Sequence, residues 1–334
     1  MTAGREPLIW VLLGERAGDN NQLLALVEEM GLPFETRELR HNFLRNVARR
    51  QLSKTMLTFT PRSLLQLRPP WPDLVIGVGR RSVPVARWIR KRSGGKAKLV
   101  QVGNPRSDPA LFDLVITSPQ YPVPSRPNVL NLPMAMSRFR APPELTAEET
   151  AWFDALPRPH LLLAIGGSTA YLDLAPGVIE DSARRLAKRA AQAGGTLIVV
   201  GSPRTQPELI AAARRAIADD PHVIVEGDMP RFAALLADAD ELHVTADSIS
   251  MLSEAILTGR PVGMVPVEMN AKARKWLGDE PPGEEFTGPK RDLRRVWARL
   301  ERDGLIGTVD APRSGPVENP VVTAATAVRK LLGL

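Results

Sequence analysis

Asp247, Ser250, Met251 and Glu254 recur at i, i+3, i+4 and i+7, so in a helix they share one side. That side begins at a helix N-terminus, where unsatisfied N–H groups and the helix dipole favour an anion such as a diphosphate. A carboxylate two turns along, Glu254, has the reach and charge to accept hydrogen bonds from a ribose diol. The other helix face carries Ile249, Leu252, Ile256 and Leu257 at helical spacing, as a buried stripe requires. The alternative is that Asp247 or Ser248 only caps the helix and Glu254 is a solvated charge. Read together, the residues point to a nucleotide site.

The polar corner Thr245-Ala246-Asp247-Ser248 follows the strand-like run Glu241–Val244, and several other corners have the same build. His160–Ile165 runs into Gly166-Gly167-Ser168-Thr169, where small residues let a backbone approach a phosphate. Thr196–Val200 runs into Gly201-Ser202-Pro203-Arg204-Thr205, and His222–Val225 into Glu226-Gly227-Asp228-Met229-Pro230. Near the start, Leu8–Leu13 leads through Gly14, Glu15 and Asp19 to Asn20, Asn21 and Gln22, without the Lys-Ser/Thr ending of a P-loop or a G-x-G-x-x-G spacing. Asp19 there either caps the following helix or acts as a base. Asp73–Val78 ends in Gly79-Arg80-Arg81-Ser82, read as a loop, and Lys98–Val102 ends in Gly103-Asn104-Pro105-Arg106.

Positioning these corners requires strands and helices in alternation, which means parallel α/β sheets covered on both faces. Glycines after apolar stripes, as at Gly259 with Pro261 beyond, stop the helices. The proline-rich stretch Ser137–Arg158 reads as a boundary. We therefore expect a first domain over 1–140, a second over 158–278, and a loop with closing helices over 279–334. The halves echo each other: Pro72-Asp73 with Arg81-Ser82 matches Ala239-Asp240 with Asp247-Ser248. The basic amphipathic helix Lys290–Arg302 carries Leu293, Val296, Trp297 and Leu300 on one face. The terminal helix starts at Asn319-Pro320 and is expected to dock back on the first domain.

Composition narrows the chemistry. The 334 residues include no Cys, which excludes disulfides, zinc-thiolate centres and thiol nucleophiles. His41, His160, His222 and His243 show no metal-ligand spacing, so no metal is expected. The formal charge is +7, but aromatic residues make up only 5% of the chain, which argues against base-stacking platforms and nucleic acid. The apolar run near the start is too short for a membrane span and has no cleavage pattern, so a cytoplasmic protein is expected. Arg40, Arg45, Arg49, Arg50 and Lys54 are mixed with apolar residues over Arg40–Phe59. Such a segment either packs on the core with a solvated basic face or lies peripherally on an anionic inner membrane.

Two doubly wound Rossmann-like domains with an interdomain cleft resemble the GT-B glycosyltransferases. The segment from Glu226 to Pro266, with Asp228, Met229, Thr245, Ser248, Glu254, Gly259 and Pro261, is similar to the nucleotide-sugar half of the UDP-sugar enzymes related to MurG. Gly18–Gln22, Pro72–Ser82, the Gly166-Gly167-Ser168 loop and Val244–Val262 look like the Elm-type mitochondrial-fission family. The resemblance implies that the second domain binds a nucleotide-sugar, UDP-linked, as co-substrate and with no further cofactor. The glycine loop, Ser202, Arg204, Asp228, Met229, Thr245, Asp247 and Ser248 would lie on the donor side, with Glu254 on the ribose. Asn20, Asn21, Gln22, Arg81, Ser82 and Asn104 would lie on the acceptor side. One position departs from the pattern: a His is common as acceptor base after the first strand, and this chain offers Glu15 and Asp19 instead. Two functions remain open, an inverting nucleotide-sugar transferase and a non-catalytic GT-B-like binding protein that recruits a partner or sits on a membrane.

Overall fold

The computed structural model describes residues 5–44, 55–139, 143–217, 221–279 and 290–334. The chain divides into two units: Met1–Arg138 with Gly283–Arg291 and Asn319–Leu334, and Phe139–Pro282 with Asp292–Glu318. In chain order the first unit contains β1 (Ile9–Leu13), α1 (Ala17–Met30), β2 (Glu35–Glu38), α2 (Pro61–Leu65) and β3 (Leu74–Val78). It continues with α3 (Gly79–Arg92), β4 (Lys98–Val102), β5 (Leu114–Thr117) and β6 (Val129–Asn131). The second contains α4 (Ala147–Asp154), β7 (His160–Ile165), β8 (Leu172–Asp173), α5 (Pro176–Gln192), β9 (Thr196–Gly201), α6 (Pro207–Ala216) and β10 (Val223–Val225). Then come α7 (Phe232–Asp238), β11 (Glu241–Thr245), α8 (Ile249–Leu257), β12 (Val262–Val265), β13 (Glu268–Met269), α9 (Ala271–Leu277), α10 (Arg294–Arg302) and β14 (Gly307–Thr308). The last helix, α11 (Pro320–Leu332), belongs to the first unit.

The first sheet has the order β2-β1-β3-β4-β5-β6 and is parallel throughout. Its central strands are apolar and buried at nearly every position because helices cover both faces. On one face Leu23 and Leu26 of α1 pack with Val321 and Val328 of α11 over Val11 and Ile76. Arg329 Nη1 of α11 donates to Met30 O at 2.7 Å, closing the end of α1. On the other face Val85 and Ile89 of α3 pack on Trp10, Val75 and Leu99. Each such Leu or Ile removed from water contributes roughly 1.5–3 kcal/mol, and Leu26→Ala would cost about 2–5 kcal/mol.

The second sheet repeats the plan as β10-β9-β7-β11-β12-β14, again all parallel. The stretch 279–334, expected as one group of closing elements, divides: Asp292–Glu318 joins the second unit, where β14 extends the sheet beside β12. A second difference lies at Gly79-Arg80-Arg81-Ser82, expected as a loop. Gly79, at φ +59, makes the turn by itself, so α3 begins directly after β3 and these residues form its first turn. Of the basic segment over Arg40–Phe59, Arg45, Arg49, Arg50 and Lys54 lie outside the described residues. On its flanks Phe43 is 75% and Leu57 64% exposed. Among the described residues no helix is long and apolar enough to cross a membrane.

Candidate functional site

All strands of the second sheet are parallel, so the corners after β10, β9, β7 and β11 fall, in that order, along one edge. Three of them are tied together by Asp247. Its side chain is wholly buried. Its carboxylate accepts hydrogen bonds from Gly167 N at 3.1 Å, Thr245 Oγ1 at 2.7 Å and Arg204 Nη2 at 3.1 Å. Thr245 Oγ1 in turn accepts from Gly166 N at 2.8 Å. A Cβ on Gly166 would collide with the Asp247 carboxylate, and one on Gly167 with the carbonyl of Arg204. These glycines are therefore demanded by the packing of loop on loop.

This geometry corrects part of the sequence-based assignment. Asp247 was expected on the ligand-facing side of the helix and instead points inward, because three donors converge on it. Thr245 is buried beneath it. Ser168 Oγ accepts from Leu174 N at 3.0 Å and its amide donates to Gln206 Oε1, so its polar atoms serve the loop. Ser202 makes a tight turn, its hydroxyl 3.1 Å from Thr205 Oγ1 and accepting from Arg204 N. Ser248 is the residue before α8; it is buried and makes no side-chain cap bond. What faces outward is the half-exposed Arg204 guanidinium and Glu254, whose carboxylate accepts from Ser250 Oγ at 3.4 Å; α8 begins directly after this corner. Asp228 and Met229 are exposed after β10.

Sequence reasoning missed two supports. Thr205 Oγ1 lies 2.6 Å from Gly166 O and 2.7 Å from Ile165 O, pinning the β9 corner to the β7 corner. Trp297 Nε1 of α10 donates to Ala246 O at 3.0 Å, holding the β11–α8 corner from the other side. The apolar face of α10 was legible in the sequence, but not what that face would meet.

In the first unit the corresponding edge holds a cavity of about 250 Å³. Glu15, Asp19, Gln22, Arg81 and Asn104 all line it, so five of the eight residues expected on this side meet in one cleft. Asp19 stands in the first turn of α1, with Arg16 as the residue before the helix. Arg81 Nη1 is 3.7 Å from the Glu15 carboxylate. The other three do different work. Asn20 clamps Gly14, accepting from its N–H at 2.8 Å and donating to its carbonyl at 2.9 Å. Ser82 is buried, its hydroxyl 3.1 Å from Val78 O and from Gly79 O, and it occupies the space that a side chain on Gly77 would need. Asn21 is exposed and is not part of the cavity wall.

The His absent from the β1 corner has a neighbour in space: His41, after β2, donates its amide to Glu15 Oε1 at 3.2 Å and stacks on Phe59 with ring centres 4.5 Å apart. It shares with Gly14, Glu15 and Asn20 the wall of a second cavity. His243 is buried within β11 against Glu241, and burial pushes its imidazole below the ordinary range. His160 is likewise buried, hydrogen-bonded to Asp238. Among the described residues no cluster of three or more His, Asp or Glu is placed to hold a metal ion.

Comparison with known proteins places this architecture. Solved structures that resemble it cover nearly the whole chain, two of them as follows. MnaA of S. aureus, solved with UDP, has a TM-score of 0.54 at 13% identity, over 98% of this chain and 96% of that one. MurG of Acinetobacter baumannii has a TM-score of 0.52 at 13% identity, over 97% and 100%. At such identity the likeness shows the fold, two Rossmann-like domains of the GT-B class. A relative by sequence, the mitochondrial fission protein ELM1 of Arabidopsis thaliana, is 27% identical over 294 residues, 78% of this chain. The matched part spans 64% of that longer protein. The profile described as Mitochondrial fission ELM1 matches residues 17–277, well over half of the chain, and the protein therefore belongs to that family.

Proposed function

We propose that this ELM1-family protein is a cytoplasmic, nucleotide-sugar-dependent glycosyltransferase of GT-B type, with a UDP-linked donor held by its second unit. The observation that carries the reading is the corner built on Asp247. It fixes the start of α8 at the open edge of the sheet, with the Arg204 guanidinium beside it and Glu254 two turns along. A diphosphate would meet the α8 amides and Arg204, and the ribose would meet Glu254. UDP in the MnaA structure supports the choice of nucleotide. In the transfer step Asp19 takes the proton of an acceptor hydroxyl. The freed oxygen attacks the anomeric carbon while the bond to the diphosphate oxygen breaks. The leaving UDP is stabilised by amides and Arg204.

Calorimetry with UDP tests the site. Glu254→Gln keeps the size and removes the charge, and a charge-assisted bond is worth about 1.5–3 kcal/mol, so affinity should fall by about one to two decades. Asp19→Asn should keep UDP binding and abolish transfer. Unchanged UDP affinity in a folded Glu254→Gln protein would refute the ribose assignment.

A second reading is a non-catalytic, membrane-associated binding protein. The exposure of Phe43 and Leu57 beside the basic segment favours it. Co-sedimentation with anionic vesicles, combined with no turnover of any UDP-sugar, would select this reading over the first.

A further inference from the structure

The cleft of the first unit carries four arginines, Arg16, Arg80, Arg81 and Arg106, against two carboxylates, Glu15 and Asp19. Three of the arginines sit where the backbone is already positive. Arg16 immediately precedes α1, and Arg80 and Arg81 lie in the first turn of α3, which contains no acidic residue. Helix N-termini favour anions and disfavour cations, so beyond the Arg81–Glu15 ion pair and Asp19 in the first turn of α1 these positions favour an added anion. The fourth, Arg106, has φ +51, the left-handed region in which glycine is the ordinary occupant. Its amide is held there by Asn104 Oδ1 at 2.7 Å. A side chain kept in a costly backbone conformation at a cleft wall is the pattern of a functional position.

We propose that this cleft is a phosphate-monoester site. The guanidinium fork matches phosphate oxygens in pairs, and the cleft's surplus of two positive charges matches a monoester of about −1.5 to −2 at neutral pH. The α1 and α3 amides add donors of the same sign. The site stands on the cleft alone. Its role, to hold a phosphate borne by the acceptor while Asp19 faces the acceptor hydroxyl, rests on the transferase reading.

Titration calorimetry of the intact chain with inorganic phosphate and with glycerol phosphate tests the site. Saturable binding is expected. Arg106→Gly suits the left-handed backbone, so folding is retained, and it should weaken phosphate by about tenfold; Arg80→Gln should do the same. Phosphatidylcholine vesicles with and without phosphatidic acid separate the sources. Sedimentation of the unaltered protein, but not Arg106→Gly, by the phosphatidic-acid vesicles assigns the phosphate to a lipid. Binding of glycerol phosphate alone assigns it to a soluble compound, and either result supports the site. No saturable phosphate binding by the unaltered protein, or an affinity in both variants unchanged from that of the unaltered protein, overturns it. UDP affinity measured on the same variants reports on the second unit separately, so the transferase reading can fail while the phosphate site stands.

Discussion

Gly167 N donates to the buried carboxylate of Asp247 across 3.1 Å, joining the corner after β7 to the corner after β11. The two residues lie eighty positions apart. Through this bond one carboxylate sets the shape of three corners, and the open edge of the second sheet depends on it.

Asp247→Ala should therefore destabilise the protein by about 2–4 kcal/mol, since it strands Gly167 N–H and Thr245 Oγ1, each worth about 1–3 kcal/mol when buried without a partner. The Arg204 ion pair adds little, because that guanidinium is half exposed. Asp247→Asn should cost less. Urea unfolding of both variants checks the order.

The glycines give a contrast in sign. Gly167→Ala drives a methyl group into the backbone of Arg204 and should cost about 1–3 kcal/mol. Gly18 lies inside α1 with nothing within 4 Å of a Cβ. Gly18→Ala should therefore stabilise by about 0.5–1 kcal/mol through helix propensity. Thermal melts of the two variants should move in opposite directions.

Acid sensitivity follows from Glu149. The guanidinium of Arg231, bonded at 2.6 and 2.7 Å, and the amide of Thr146 hold its carboxyl down at about 2. A carboxyl lowered on folding stabilises the native state above its unfolded value, and that stability is lost as pH falls through the folded value. Glu149→Gln should thus be less stable than the parent at neutral pH. The gap should close as pH falls from about 4.5 to about 2. A gap that stays constant across that window would contradict the account.

Trp297→Phe keeps an aromatic ring but removes the pyrrole half of the indole, with the N–H that meets Ala246 O. The expected loss is about 0.5–1.5 kcal/mol of stability. UDP affinity should fall with it, since the carbonyl belongs to the corner that starts α8. Parallel urea and calorimetric titrations separate the two effects.

How much of this was legible beforehand depends on the range of the interaction responsible. β7 at His160–Ile165 and β12 at Val262–Val265 have the ends expected from the sequence, because an unbroken apolar run is a local property. The stop of α8 before Gly259 is equally local. The alternation of these signals determined two parallel sheets, and it placed polar residues at strand ends. It did not determine which of those residues face a ligand. Asp247 has the spacing of a ligand-facing residue, yet it points inward because β7 lies beside β11 and β9 beside β7, which brings Gly167 and Arg204 to it. Asn20 and Ser82 read as cleft residues, and each is consumed by a glycine neighbour that no pattern identifies. In a parallel sheet, strand order is fixed by crossovers that bring distant segments together. The sequence by itself thus determined the elements, their stops and the family, and the tertiary structure decided which polar atoms are satisfied inside and which remain for a ligand.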